Sequence, residues 1–295
     1  MKIFIPMAGK GTRLRPFTLT CPKPLINVLD KPIVEHLIDQ ITSKVKSNID
    51  EIVYILGDES YFNAEVVYSL NIISEKYNAK TKIYRQLEQL GTGHAIMCAE
   101  ESLSGPSIIA YADTMIQGNI EIDTKVDGII WVKKVDNPSA YGVVNLDNEN
   151  KIIELIEKPA EFISDLAVVG IYYFKEAANL RGYLRKHLSE KLSPGEEYLL
   201  NYGIEKMIKN GDSFVPKEID IWMDCGTPEL LLNSTKIIMD TYHNNFGQNR
   251  VFDKEVIIKP PAFIGKNVKI KNSTIGPYVS ICLLYTSDAA DDDAC

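Results

Sequence analysis

Apolar positions along the first 111 residues alternate between short continuous runs and repeats at intervals of about four. A run at 3–5 is followed by a helical repeat over 33–45 and then by a second run at 52–56. Such runs predict buried strands, and the interval of four predicts helices with one buried face. Further strands are predicted at 82–85 and 107–111, and further helices near 61–77 and 93–101. We therefore expect an α/β, Rossmann-like fold with a mixed, mainly parallel sheet and helices on both faces.

The pattern changes after residue 128, where shorter apolar segments are separated by turn sequences such as Asp136-Asn137-Pro138-Ser139. Short strands joined by turns predict an antiparallel extension of the sheet, which could form a second wall of a binding site. The predicted strands are 128–133, 142–146, 151–157, 166–174 and 219–223, and the predicted helices are 176–187, 196–210 and 228–242.

A third pattern begins near residue 255, with isoleucines at 264, 270, 275 and 281, of which Ile264 and Ile275 precede glycines. Aliphatic residues every five or six positions resemble the hexapeptide repeat of a left-handed β-helix, of which 255–281 would form only the start. The last residues, 282–295, are acidic and of low complexity, and they resemble translated adapter sequence more than a native acidic tail. The predicted domains are therefore 1–245 and 255–281, with 282–295 expected to be non-native.

Two glycines, Gly9 and Gly11, follow the first apolar run at once. A glycine-rich turn after a buried strand exposes backbone N–H groups that can bind a polyphosphate. The loop and the segment after it add the cations Arg13 and Lys23. Leu14 stands where a dinucleotide loop needs a third glycine, and the spacing also excludes a P-loop. Candidate nucleotide-binding residues in this loop are Ala8, Gly9, Gly11 and Thr12, with Arg13 and Lys23 as candidate catalytic cations.

Composition narrows the range of partners. The 295 residues carry a net charge of −8, and nothing is basic enough for a nucleic-acid groove. No apolar window approaches the length of a membrane span or a signal peptide, so we expect a cytoplasmic protein without a membrane partner. The five cysteines lack the spacing of a metal site or of disulfides.

Two aspartates each follow a predicted strand. Asp113 comes after 107–111, and Asp224 comes after 219–223. Carboxylates that face a triphosphate are suitable ligands for Mg²⁺, which prefers oxygen. Each aspartate could instead be a helix N-cap or a turn residue.

The segments Gly9 to Pro16, Lys23-Pro24 and Asp30-Lys31-Pro32 resemble the signature of the sugar-1-phosphate nucleotidyltransferases. The resemblance implies metal binding by Asp113 and Asp224 and contact with the nucleotide base by Gln86, Gly91 and Thr92. It also implies a sugar-phosphate site at Gly142, Glu157, Lys158, Val169 and Gly170. From the residues alone, 86–95 could be a plain polar loop, and Glu157 and Lys158 could form a surface ion pair.

The resemblance implies an Mg²⁺-dependent transfer of a nucleotidyl group from dTTP or UTP to a hexose 1-phosphate, with glucose 1-phosphate favoured. Alternatives are a mannose-1-phosphate guanylyltransferase and a non-catalytic relative that senses nucleotide or sugar phosphate. A homo-oligomer is expected, because a C-terminal repeat domain often assembles subunits in relatives. The chain departs from the family at 197–201, where threonine and aspartate more often follow the leucine, which leaves the local helix start uncertain.

Overall fold

The computed structural model describes residues 1–45, 47–118, 120–242 and 255–282. Its α-helices are α1 Ile33–Lys44, α2 Ala64–Glu75, α3 Thr92–Met97, α4 Ala177–Leu188, α5 Leu200–Lys209 and α6 Pro228–Tyr242. Its strands up to the end of the predicted antiparallel extension are β1 Lys2–Pro6, β2 Asn27–Val28, β3 Lys31–Pro32, β4 Glu51–Leu56, β5 Lys80–Arg85, β6 Ser107–Ala110, β7 Thr114–Gln117, β8 Gly128–Lys134, β9 Gly142–Leu146, β10 Ile152–Glu157 and β11 Leu166–Phe174. The remaining strands are β12 Phe214–Glu218, β13 Ile221–Asp224, β14 Ile257–Ile258, β15 Ala262–Ile264, β16 Thr274–Ile275 and β17 Val279–Ile281.

Within these residues, nine strands form the main sheet, and its parallel part has the order β6, β1, β4, β5. The chain leaves β1 toward β4 on one side and later returns to place β6 on the other side. This reversal is a topological switch point, where ligands bind beyond the carboxyl ends of the strands in open α/β sheets. The predicted α/β class with a mixed sheet is confirmed, and its binding edge lies after β1 and β6.

Alternate residues of the central strands bury two opposite faces of the sheet. Ile3 and Ile5 pack in one core with α1 and α2, whereas Phe4 between them packs in a second core with α3, α4 and α5. All three side chains are fully buried. Continuous apolar strands are expected when helices cover both faces, because neither face is exposed to water.

The antiparallel extension also forms as predicted. β11 pairs antiparallel with β6, β8 and β9, and β10 completes a hairpin with β9. The β11 register shifts between Val168 and Tyr172, so the strand is irregular at Val169 and Gly170. Irregular pairing of this kind redirects side chains at the edge of a site.

The bounds of two predicted elements are wrong, and strands β7 and β12 were not predicted. The helix predicted for 93–101 ends at Met97, and the strand predicted for 219–223 is β13, Ile221–Asp224. β12 was not predicted; it contains Pro216 and lies on the sheet edge beside β8, where proline is tolerated. β7 was also missed, and it pairs with β13 so that Thr114 lies opposite Asp224.

The C-terminal segment forms two short parallel pairings, β14 with β16 and β15 with β17. Phe263 of β15 packs into a third apolar core together with Leu14 of the glycine loop and Met223 of β13. The segment therefore lies directly behind the loop. A β-helix that begins here stays a prediction, as do the domain limits, and 283–295 lie outside the described residues.

Candidate active site

The glycine loop follows β1 at the switch point, and contacts with Thr18 and Lys23 fix its shape. Gly11 adopts a left-handed conformation with φ 61°. A Cβ at this position would lie 3.0 Å from Cβ of Lys23 and from Cγ2 of Thr18. The Thr18 hydroxyl also donates a hydrogen bond of 2.8 Å to the Gly11 carbonyl. Glycine is required here because both the backbone conformation and the close packing disfavour a side chain.

Lys23 is buried beside this loop, in a short turn between Pro22 and Pro24. Its Nζ atom lies 2.7 Å from Oδ2 of Asp113, which follows β6. A half-exposed carboxylate and a buried ammonium thus meet at the carboxyl edge of the two central strands. The ion pair holds both charges in the cleft, where a phosphate or a metal ion could exchange partners with them.

Residues 86–94, named the base loop here after their predicted contact with the nucleotide base, form the opposite wall of the cleft. Gln86 is buried after β5, and its Nε2 donates to the Gly91 carbonyl at 3.0 Å. Gln89 reaches across to the Ala8 carbonyl with a bond of 3.3 Å. The base loop is therefore tied both to itself and to the glycine loop, and Gln86 is held in one orientation.

Backbone hydrogen bonds also join the base loop to the segment before α5. Tyr198 N donates to Leu90 O at 2.8 Å, and Gly93 N donates to Tyr198 O at 2.7 Å. Gly91 has φ 114°, and a Cβ on it would lie 2.6 Å from Tyr198 O and 2.8 Å from Tyr198 N. These are backbone atoms that cannot move aside, so the contact depends on glycine.

We expect Gly91→Ala to lower the free energy of unfolding by roughly 1 to 3 kcal/mol and to weaken nucleotide binding, because the clash displaces the base loop. Gly211→Ala is the matched control, since Gly211 has φ 97° and no atom within 4 Å of its Cβ position. Thermal unfolding and nucleotide titration of both variants check this. Equal destabilisation by the two variants would show that the contact with Tyr198 does not constrain the loop.

The residues predicted to bind the sugar phosphate come together at the antiparallel extension. Gly142 opens β9 directly opposite Glu157 at the end of β10. Lys158 follows with a left-handed φ of 45°, and its N–H donates to Tyr141 O at 3.1 Å. A lysine in this conformation is strained by about 1 to 3 kcal/mol, and such strain is concentrated at functional sites.

Asp113 and Asp224 both line the smaller of the two cavities of the site. Burial raises the pKa of Asp224, and the negative charge of Asp113 raises it further. Oδ1 of Asp224 accepts a bond of 2.7 Å from Gly226 N. Over the described ranges, no cluster of three or more histidine, cysteine or acidic residues could hold a metal ion. Two close carboxylates fit a Mg²⁺ ion that completes its shell with phosphate oxygens and water.

Tyr111 is a site residue that the sequence analysis missed. Burial raises the pKa of its phenol to about 12, so the ring is a neutral partner at pH 7. It packs under Gly170, whose φ is 84° and whose Cβ would lie 2.6 Å from the Tyr111 ring. The signal was its place directly before Ala112-Asp113, at the end of a predicted strand.

Two adjoining cavities gather the predicted site residues. The larger, about 830 Å³, is lined by the glycine loop, Lys23 and the base loop, and the smaller, about 300 Å³, by the sugar-phosphate residues and Asp224. Arg13, Thr92, Tyr111 and Asp113 line both cavities. The larger cavity contains Ala8, Gly9, Gly11, Thr12, Gln86 and Gly91, and the smaller contains Gly142, Glu157, Lys158, Val169 and Gly170.

Comparison with known proteins identifies the family and supports the fold. The nucleotidyl transferase family matches residues 4–241. Bifunctional protein GlmU of Methanococcus maripaludis is 32% identical over 258 residues, covering 86% of this chain and 56% of that protein. Glucose-1-phosphate thymidylyltransferase of Streptomyces antibioticus is 27% identical over 308 residues, covering 95% and 82%. The structure of a nucleoside-diphosphate-sugar pyrophosphorylase from Vibrio cholerae RC9 has a TM-score of 0.68 at 19% identity, covering 79% of this chain and 99% of that one.

The fold and the family match together define the class, and the chain belongs to the nucleotidyl transferase family. This confirms the resemblance found in the sequence. The chain spans 56 to 61% of the length of the first three curated relatives. In the part of the chain that the structure describes, no helix has the length and apolar character needed to cross a membrane.

Proposed function

We propose that the site transfers a nucleotidyl group from a nucleoside triphosphate to a hexose 1-phosphate and releases pyrophosphate. The meeting of the two cavities at Arg13 and Asp113 carries this proposal. A triphosphate in the larger cavity and a sugar phosphate in the smaller one would bring their reacting phosphates together at that boundary. Positioning of this kind supplies much of the rate enhancement in phosphoryl and nucleotidyl transfer.

The reaction needs no protein nucleophile, because the sugar phosphate is itself anionic at neutral pH. One of its phosphate oxygens attacks the α-phosphorus, an O–P bond forms, and the bond between the α-phosphorus and the bridging oxygen to the β-phosphate breaks. The leaving pyrophosphate carries away the electron pair. Arg13 would bind the β- and γ-phosphates, and Lys23 and Lys158 would reduce the repulsion between the approaching anions.

Asp113 and Asp224 would hold Mg²⁺ together with the nucleotide. The ion would supply positive charge that stabilises the transition state. The raised pKa of Asp224 supports this role, because the negative charge of Asp113 contributes to it and a bound cation would reduce the repulsion between the two carboxylates. Lys23, already paired with Asp113, limits the negative charge of the cleft before the nucleotide arrives.

For the substrates, we propose dTTP or UTP with glucose 1-phosphate. The Gln86 amide is held by Gly91 and lies in the larger cavity, where an amide edge can pair with a uracil or thymine ring. The Streptomyces antibioticus relative, named for glucose 1-phosphate and thymidylyl transfer, supports the same choice. The predicted cytoplasmic location and homo-oligomer stay predictions.

We expect the full chain with Mg²⁺ to release pyrophosphate from dTTP or UTP and glucose 1-phosphate. The test is a panel of five nucleoside triphosphates against a panel of hexose 1-phosphates. Turnover only with GTP and mannose 1-phosphate would establish the guanylyltransferase alternative. Nucleotide binding without turnover for any pair would favour the sensing relative and contradict the proposal.

A further inference from the structure

The sequence departs from its family just before α5, and the structure explains how this helix begins. Leu199 occupies the N-cap position and offers no side-chain hydrogen bond. The Leu200 N–H is instead satisfied by Oγ1 of Thr92 at 3.0 Å, from the start of α3. A helix start can be capped by any suitable acceptor, so this chain does not need a threonine here.

The next residue, Asn201, occupies the position at which the family more often has aspartate. Asn201 is buried, with 9% of its surface exposed, and it lines the smaller cavity. Its Nδ2 donates a hydrogen bond of 2.9 Å to Oε2 of Glu157, and its Oδ1 accepts one of 3.5 Å from the Tyr172 hydroxyl. The tyrosine fixes which end of the amide faces the carboxylate.

Glu157 itself is an exposed side chain at the end of β10. An unrestrained glutamate loses considerable rotamer freedom when it binds a ligand. Here the buried amide of Asn201 holds Oε2 of Glu157. A Cβ at Gly142 would lie 3.0 Å from that oxygen, so Oε2 packs closely against the backbone of β9. In the described part of the chain, Oε1 makes no protein hydrogen bond, which leaves it free to accept from a ligand.

We propose that Asn201 is a positioning residue for the sugar end of the reaction: it holds Glu157 so that the free carboxylate oxygen can accept a hydrogen bond from a hexose hydroxyl. This inference rests on the proposed function, because it takes Glu157 as a sugar ligand. An aspartate at position 201 would place two carboxylates about 3 Å apart, where like charges repel strongly. The asparagine instead supplies an N–H donor to Oε2 of Glu157.

The test compares Asn201→Asp and Asn201→Ala with the wild type by titration calorimetry. The probes are UDP-glucose and dTDP-glucose, each beside the matching UDP or dTDP, so that the difference reports the sugar contact. We expect both variants to weaken binding of the nucleotide sugar roughly tenfold or more while binding of the nucleoside diphosphate changes less than about twofold. In the forward reaction, KM for the hexose 1-phosphate should rise while KM for the nucleotide stays constant.

Asn179→Asp is the matched control, because Asn179 is exposed on α4 and the exchange adds the same charge outside the cavity. It should leave both affinities unchanged. A Glu157→Ala background tests the route of the effect: once Glu157 is removed, Asn201→Ala should weaken sugar binding little further. Thermal unfolding of each variant identifies any general loss of structure.

The outcomes separate this inference from the function on which it rests. If the wild type releases no pyrophosphate with any pair of substrates, the proposed function fails. If it turns over but binds nucleotide sugar and nucleoside diphosphate equally, or if Asn201→Asp leaves the sugar contact intact, the positioning role is wrong. Full additivity of Asn201→Ala with Glu157→Ala would likewise contradict it, because Asn201 would then act independently of Glu157.

Discussion

Replacing Lys23 with alanine should lower kcat/KM for the proposed reaction by roughly a hundred- to a thousandfold, the cost of losing a fixed charge that stabilises a transition state. Lys23 is buried between two prolines and meets Asp113 at 2.7 Å. Its removal leaves the carboxylates of Asp113 and Asp224 without this cation and takes a positive charge from the path of the phosphates. Steady-state kinetics over both substrates measure the loss.

Lys44→Ala is the matched control, since Lys44 is an exposed residue in the last turn of α1. It should keep wild-type kinetics. Thermal unfolding should show that the Lys23 variant remains folded at the assay temperature. Wild-type kcat/KM in a folded Lys23→Ala protein would exclude Lys23 from the chemistry.

Replacing Asp224 with asparagine should change activity and stability in opposite directions. Turnover should fall by about a thousandfold if the carboxylate helps to hold Mg²⁺ in the reacting complex. In a chelating buffer at pH 7 the melting temperature should instead rise by about 1 to 3 °C. The pKa of Asp224 is raised in the folded state by burial and by Asp113, so its ionised form destabilises the fold, and this cost disappears as the pH falls through the raised pKa.

Asp39→Asn makes the same exchange at a carboxylate whose neighbours are hydrogen-bond donors and not a second carboxylate. Asp39 accepts hydrogen bonds of 2.6 Å from both Lys31 and Tyr77, so the loss of its charge should lower the melting temperature while turnover is kept. Differential scanning calorimetry and activity assays on the two variants test the contrast. A fall in melting temperature for Asp224→Asn in chelator would contradict the destabilising effect assigned here to the charge of Asp224.

Local signals made much of the site predictable. The strand, the paired glycines and the cationic elements lie within the first 24 residues, so chain order alone places them together. Asp113 could be placed because it follows a continuous apolar run that ends at the same sheet edge. Asp224 lines the smaller cavity, although its strand begins at Ile221 and not at residue 219 as predicted.

Contacts between distant segments could not be predicted in the same way. The bond from Leu200 to Thr92 joins residues 108 positions apart, and that from Asn201 to Glu157 joins residues 44 apart. Neither local sequence contains a pattern that predicts which distant residue it will bond. Tyr111 was missed for a similar reason, since its role depends on the irregular β11 bringing Gly170 against its ring.

Transfer of an isotopic label tests the central claim most directly. Hexose 1-phosphate carrying ¹⁸O in its phosphate oxygens is turned over with Mg²⁺ and the best nucleoside triphosphate, and ³¹P NMR locates the label. Transfer of the nucleotidyl group to a sugar phosphate oxygen predicts ¹⁸O in the sugar-linked phosphate and in the bridge of the nucleoside-diphosphate sugar, with label-free pyrophosphate. Labelled pyrophosphate, or an unlabelled bridge, would contradict the account.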